Sequence, residues 1–415
     1  ARHIMSFQQA LSGLNAAAKN LDVIGNNVAN ANTIGFKGGR AEFADVYAAS
    51  VVQSTASQSG IGTKVSAVTQ QFTQGSITTT SNPYDVAISG NGFFRMDSDG
   101  ATVFTRNGQF HRDDAGYLVN AEGLKLTGYS VNANGQVVTA QPQPLQLVVN
   151  SIEAKATGKV TQSVILDSRK PAIADTVAFD KNNSDTFTDA NSMSLYDSLG
   201  NSHLLSVYYR KTGAGEWDTY YSFDGGAAQK MSSMQFNTSG QLMSIDGNAD
   251  KLQPTITIPA AEMTTGAADL TFTYDMSKTT QTGQAFSTNT QTQDGYTSGR
   301  LTGFSIDETG SLLASYSNQQ SRVQGQIALG MFNNPTGLAS IGGNNFAETA
   351  ASGTPRLGSP GSSDFGTVRS GALEEANIDL TAELVNMITA QRGYQANAQT
   401  IKTQDSIMQT IVNLR

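Results

Sequence analysis

The residue types that usually carry chemistry are sparse in this chain and poorly spaced for it. Cysteine is absent, which removes disulfides, thiolate nucleophiles and Cys-rich zinc sites. Of the three histidines, His3 sits in the stretch Ala1-Arg2-His3-Ile4 ahead of Met5, which reads as a cloning scar and is left out of the fold reasoning. His111 and His203 stand among strand or turn signals, in no metal-ligand spacing, and read as ordinary surface or half-buried histidines. No G-x-S-x-G, H-E-x-x-H or P-loop spacing occurs, and the carboxylates are scattered through turns rather than set as an acid and base pair. Glycosidase carboxylates can lie far apart in sequence, so their scatter excludes less than the other absences do. Asp97-Ser98-Asp99-Gly100 has two of the oxygens of a calcium loop but not the further ligands or the closing acid, and it reads as a hairpin turn. Gly90-Asn91-Gly92 lacks the third glycine and following helix of a dinucleotide loop and reads as a turn as well. A structural role without metal or cofactor is expected, not an enzyme.

What the sequence organises instead is a pair of helices at its two ends. Leu380, Leu384, Met387, Gln391, Tyr394, Ala398, Ile401, Asp405, Met408 and Val412 step by three and four without a slip, which is a coiled-coil seam. Asp379 is a suitable N-cap and Glu383 adds negative charge to the first turn, so a helix of roughly 50 Å can run to the terminus. At the other end Phe7, Leu11, Leu14, Ala18, Leu21, Gly25 and Val28 repeat the spacing. Two readings stand: the helices pair with each other as an antiparallel clamp, or the seam extends between subunits. The outward positions Thr389, Arg392, Ala396, Gln399, Thr403, Ser406, Thr410 and Asn413 favour the second, because they carry one charge where a solvated helix carries several.

Composition agrees with a protein that meets its own copies. A chain of 415 residues with 38% hydrophobic residues has the material for two to four domains with real cores. Charged residues make up only 14%, against a usual value of about 25%, and Ser, Thr, Asn, Gln and Gly fill the surface instead. The net charge of −8 and the lack of any basic stripe argue against nucleic acid as a partner. There is neither an 18-residue apolar run nor a signal-peptide pattern, so no membrane insertion and no cleaved signal are expected.

The first helix ends in Gly25-Asn26-Asn27-Val28-Ala29-Asn30-Ala31-Asn32-Thr33-Ile34-Gly35-Phe36-Lys37. Asparagine competes with the helical backbone, so this is a helix end, with Gly35 turning the chain and Phe36 anchoring it. A C-cap alone does not account for so many asparagines. The stretch resembles the N-terminal signature of the bacterial flagellar rod and hook axial proteins, carried here by Asn26, Asn27, Asn30, Thr33, Gly35 and Phe36. Gly75 to Met96, with Asp85-Val86-Ala87-Ile88-Ser89-Gly90-Asn91-Gly92-Phe93-Phe94, and Thr105-Arg106-Asn107-Gly108-Gln109-Phe110 through Gly128-Tyr129 resemble that family's second block. The closest likeness is C-terminal: Gly371-Ala372-Leu373-Glu374-Glu375-Ala376-Asn377-Ile378-Asp379-Leu380, then Glu383, Met387-Ile388, Ala390-Gln391-Arg392 and Tyr394. Alanine at 376 departs from the serine more usual there.

Between the ends the pattern is β. Val86 to Ile88, Phe93 to Met96 and Val103 to Thr105 read as short strands. From about Val148 to Thr290 the chain reads as an all-β insert, with strands at Met193 to Tyr196, His203 to Arg210, Trp217 to Phe223, Met234 to Phe236, Thr255 to Ile258 and Leu270 to Tyr274. Its flanks, Gln141 to Gln146 and Ser277 to Gln293, read as linkers. Short strands resume from Gly299 to Phe332. Arg40 to Ser59 reads as a connector that begins as a short helix through Phe43 and Tyr47, and Ser352 to Gly366 as a second connector. The expected fold is mainly β with long terminal α-helices, nested and multidomain: 5–70 helix and connector, 71–147 first half of an inner β domain, 148–290 the inserted outer β domain, 291–365 the second half of the inner domain, and 366–415 connector and long helix.

The resemblance implies a subunit of the flagellar hook, polymerising into a hollow, flexible tube that transmits torque from rod to filament and lets exported subunits pass. It implies terminal helices around the channel and β domains layered outward, export without a cleaved signal, and an extracellular place in the flagellum. As partners it implies further copies of the chain, the distal rod protein, the hook cap protein and the hook–filament junction protein. A distal rod subunit would share both terminal blocks but is shorter and usually lacks the insert. A secreted adhesin-like β protein with coiled-coil ends is the alternative from another class.

Overall fold

The computed structural model describes residues 2–46 and 60–413, with the side chains of 7–46 and 60–410. It is mainly β with one long helix at each terminus: α1 spans Arg2–Ala29 and α2 spans Leu380–Asn413. The chain divides into two compact units, one made of 1–149, 303–315 and 321–415, the other of 150–302 and 316–320. The second therefore begins near the expected boundary at 148 but runs past 290.

In the first unit, α1 takes in residues that had been set aside as a scar, since it already begins at Arg2. It is followed by a hairpin of β1 (Gly39–Val46) and β2 (Gly62–Gln70), paired antiparallel from Gly39 with Gln70 to Val46 with Gly62. This corrects the expected helix through Phe43: exposure alternates along β1, and its backbone partners are on β2 rather than four residues back. Tyr47 to Ser59 lie outside the described residues. A 13-stranded sheet forms the body of the unit, with Phe93–Ser98 between Lys125–Tyr129 and Ala101–Thr105. Asp99 and Gly100, both at positive φ, make the two-residue turn between Phe93–Ser98 and Ala101–Thr105, with Ser98 opposite Ala101. The core under the sheet includes Val86, Ile88, Phe94, Met96, Leu118, Leu126 and Ile327. Phe93, Phe104, Phe332 and Phe346 form a smaller cluster of edge-on rings. The stretch 141–146, expected as a linker, is sheet: Gln143–Pro144 pairs with Thr127 and Gly128, and Leu145 is buried.

The second unit is a pair of five-stranded sheets around one core. One is the antiparallel meander Asp189–Tyr196, Ser202–Gly213, Glu216–Phe223, Gln229–Phe236 and Leu242–Ile245. The other is centred on Lys159–Asp167, a nine-residue strand the sequence reading missed. It pairs parallel with Leu270–Asp275 and Thr280–Thr282 and antiparallel with Ser287–Gln293. The expected linker at 277–293 is thus two strands of this sheet. Its Thr and Gln side chains suit an outer strand that lies mostly in solvent, and composition alone does not separate that from a linker. Trp217 is buried, with its indole N–H donating to Gln281 Oε1 at 2.8 Å. Tyr209 donates to Gln162 Oε1 at 2.6 Å and the Tyr274 hydroxyl shares that acceptor.

His203 is buried, contrary to the surface or half-buried reading. Its Nδ1 lies 2.6 Å from Asp224 Oδ2 and its Nε2 3.1 Å from Asp197 Oδ2. Burial alone lowers the imidazole pKa, but the two carboxylates outweigh it and raise it above the ordinary 6.5. Asp197 is fully buried, which opposes ionisation, yet bonds from Asn201, His203 and Thr265 hold its carboxyl far below the usual range.

Candidate functional site

The motif residues of the two terminal blocks converge on one junction in the first unit. Two short strand pairs bring the blocks together: Thr367–Ser370 lies against Val86–Ser89, and Ala372–Glu374 against Ile77–Thr79. Glu374, at 0% exposure, is thereby fixed in the interior. Its Oε1 accepts from Lys37 Nζ at 2.6 Å and from the Gly75 amide at 3.0 Å, and its Oε2 accepts from Arg106 Nη1 at 3.0 Å. Lys37 also donates to the Thr73 carbonyl at 2.7 Å, and Arg106 to the Gly90 carbonyl at 2.7 Å while lying over the Phe93 ring. Burial pushes both cations' pKa values down, and Glu374 opposes it. One carboxylate thus holds charges from 37 and 106, positions far apart in sequence.

Asparagines do the neighbouring work. Asn377 Oδ1 accepts from the Gly38 amide at 2.8 Å, and its Nδ2 donates to the Gln71 carbonyl at 2.7 Å and to Thr73 Oγ1 at 2.9 Å. Asn27, buried in α1, exchanges two bonds with the backbone of Gly39: Nδ2 to the carbonyl at 2.8 Å, and the amide to Oδ1 at 2.9 Å. Each amide side chain imitates a strand partner, which satisfies backbone groups where helix, hairpin and sheet meet. Asn30 donates to Asn26 Oδ1 at 2.6 Å and accepts from Thr33 Oγ1 at 3.2 Å, closing the helix end. Gly35 turns the chain at φ 70°, and a Cβ there would meet the Asn107 backbone nitrogen at 2.5 Å, so both conformation and space require glycine. Its amide donates to the Glu374 carbonyl at 2.8 Å, and Phe36, half-buried, follows.

The helices lie antiparallel, with Gly13 against the Asn397 side chain near one end, and Asn27 and Ile378 sharing a cavity near the other. Asp379 caps α2, its Oδ1 accepting from the amides of Thr381 and Ala382 at 2.9 and 3.1 Å. The helices cover only part of the apolar heptads. On α1 the buried positions are Ala10, Ala16, Ile24 and Asn27, while Leu14, Leu21 and Val28 are half-buried and Leu11 is 41% exposed. On α2 Ala390 is buried and Met387, Asn397, Ala398, Ile401 and Gln404 are half-buried. Leu380, Leu384, Tyr394 and Met408 are exposed, the two leucines at 45% and 44%, and so are Gln391 and Arg392. On α1 the buried positions centre about a third of a turn from the heptad, whereas on α2 the covered stripe centres only about a ninth of a turn from it and shares Met387, Ala398 and Ile401 with it, so that Leu380 and Leu384 are left on the open side. Val412 lies in the helix, but its side chain is outside those described.

Residue type and spacing alone assign no role to Lys37, Glu374 and Arg106, although all three stand in the motif blocks. The available signal was charge: three ionisable residues placed inside the motif blocks of a chain so short of charge. Among the described residues no group of His, Cys, Asp and Glu is placed to hold a metal ion, and no helix is long and apolar enough to cross a membrane.

This arrangement defines a nested β protein clasped by its own terminal helices, with an apolar stripe left open along them. Residues 7–37 match the family described as flagella basal body rod protein, and 369–414 the flagellar basal body rod FlgEFG protein C-terminal region. Residues 87–165 match the flagellar hook protein FlgE/F/G D1 domain and 165–296 the flagellar basal body protein FlaE D2 domain. The chain is 43% identical over 417 residues to the flagellar hook protein FlgE of Escherichia coli K12, covering 99% of this chain and 100% of that one. It is 44% identical to the Salmonella typhimurium hook protein with the same coverage, and 34% identical to that of Borreliella burgdorferi over 99% of both. The crystal structure of the Helicobacter pylori hook protein FlgE2 superposes with a TM-score of 0.52 at 15% identity, over 70% of this chain and 99% of that one, a likeness of fold. The chain belongs to the flagellar hook protein family. A rod subunit is not favoured, because the full-length likeness is to hook proteins and includes the insert.

Proposed function

We propose that this hook subunit polymerises through the leucine stripe of its terminal helices into a hollow, flexible tube that couples rod to filament, and that it does so as a structural element without catalysis. The observation that carries the reading is the part of the heptad left open: on α2 Ala390 is buried and Met387, Ala398 and Ile401 are half-buried, while Leu380, Leu384 and Met408 are left to solvent in the single chain. An exposed apolar stripe of this length is a surface for a partner, and a repeating contact between unlike faces of identical copies builds a helical tube rather than a closed ring. Further copies are the main partner, with the distal rod, hook cap and hook–filament junction proteins as partners at the tube ends. Export through the flagellar apparatus to the cell exterior, without a cleaved signal, belongs to the same reading.

The test is assembly. The full chain, concentrated, forms hollow tubes in negative stain, whereas residues 33–377 stay folded and monomeric. Tubes from the truncated chain would place the driving contacts in the β units.

A further inference from the structure

Beside the junction, α1, α2 and β1 border an open recess of about 570 Å³ lined by Val23, Ile24, Phe43, Ile378, Ala390 and Glu383 among others. Glu383 Oε2 is buried there without a hydrogen-bond partner. A carboxylate oxygen removed from water in that way is costly unless a cation or donor reaches it. On the same helix Arg392 is exposed, with no ion pair within 4 Å among the described residues, one of the few charges on α2. The two cannot meet within one chain: nine positions separate them, roughly 13 Å along the axis and about half a turn around it. Arg392 points away from α1 as surely as Glu383 points toward it.

We propose that in the polymer the Arg392 guanidinium of one copy enters this recess in the next and pairs with its Glu383. The occupant is thus a second copy of this chain, chosen by charge: a planar cation on a long stem for a lone carboxylate in a half-apolar recess, where a guanidinium binds in two-pronged fashion. The contact is between unlike faces, so it repeats along an open helical assembly instead of closing a pair. It fixes the register in which the leucine stripes meet, which apolar contact alone leaves loose. Arg40, on β1, also lines the recess, without an ion pair among the described residues, and is the competing partner from within the chain. The inference rests on the polymerising role proposed above.

Charge reversal separates the possibilities, with tube formation by the full chain read by sedimentation and electron microscopy, and helix content by circular dichroism. Glu383→Arg and Arg392→Glu each raise the concentration needed for tubes at least about tenfold, with helix content kept, and the double variant E383R/R392E recovers most of that loss. Single variants that assemble like the parent, or a double variant no better than either single, overturn the pairing while leaving the polymer reading standing. Rescue of E383R by R40E rather than R392E overturns it too, assigning the partner to the same chain. A parent chain that forms no tubes under any condition overturns the polymer reading and this contact with it.

Discussion

At the scale of single residues, the Lys37–Glu374–Arg106 group does the most structural work. Removing one member of a buried ion pair costs about 3–5 kcal/mol because it strands a charge, and here one carboxylate serves two cations. Glu374→Gln therefore destabilises the first unit by about that amount. The second unit contributes the chain's one tryptophan, Trp217, so its fluorescence transition in urea stays in place while amide exchange around Ile77–Thr79 and Ala372–Glu374 accelerates. A shift of the Trp217 transition of the same size would show that the two units unfold as one. His203 supplies a pH test in the second unit. A folded pKa raised above 6.5 means its contribution is full below the unfolded value and is lost as pH rises through the folded one. Asp197, held low, contributes above the ordinary carboxylate range and loses its share only in strong acid. The Trp217 unfolding midpoint should therefore be highest in mild acid and fall through neutral and alkaline pH, and His203→Gln should flatten that fall. An equal fall in the variant would assign the pH dependence to other groups.

At the scale of elements, the helices and most strands were legible because their periods are strong. The N-cap at Asp379, the turn at Gly35 and the meander from 189 to 223 follow directly from residue type and alternation. What was hidden depended on tertiary partners. Ser287–Gln293 carries no apolar alternation, and only its pairing with Lys159–Asp167 makes it a strand. Gly39–Val46 was misread because Phe43 and Tyr47 share a helical spacing as readily as a strand face. The heptads were visible, but not that part of each would stay uncovered; the small and polar residues Ala10, Gly13, Ala390 and Asn397 permit close approach and draw no attention in a hydrophobic count. From the exposed stripe it follows that Leu384→Asp abolishes tubes while leaving the monomer folded, because a carboxylate at that position is harmless in water and costs several kcal/mol in a packed seam. Thr403→Asp, on the other side of the heptad and exposed, does less. Equal losses of tube yield in pelleting assays would contradict the facing of the helix.

At the scale of the whole molecule, sequence order is nested: α1, part of the sheet unit, the second unit, the rest of the sheet unit, α2. The main segment of the second unit, 150–302, begins and ends side by side, with Ile152 bridged to Gly299, so its presence does not interrupt the junction of Lys37, Glu374 and Asn377. That junction ties both helices to the sheet body, and a chain with only 14% charged residues lets many copies approach without strong repulsion. The decisive measurement is an electron cryomicroscopy reconstruction of tubes formed by the full chain, at a resolution that places side chains. The predicted result is a wall of α1 and α2 in which Leu380, Leu384 and Met408 are covered by a neighbouring copy. A tube in which those side chains remain in solvent, with copies joined only through the β units, would contradict it.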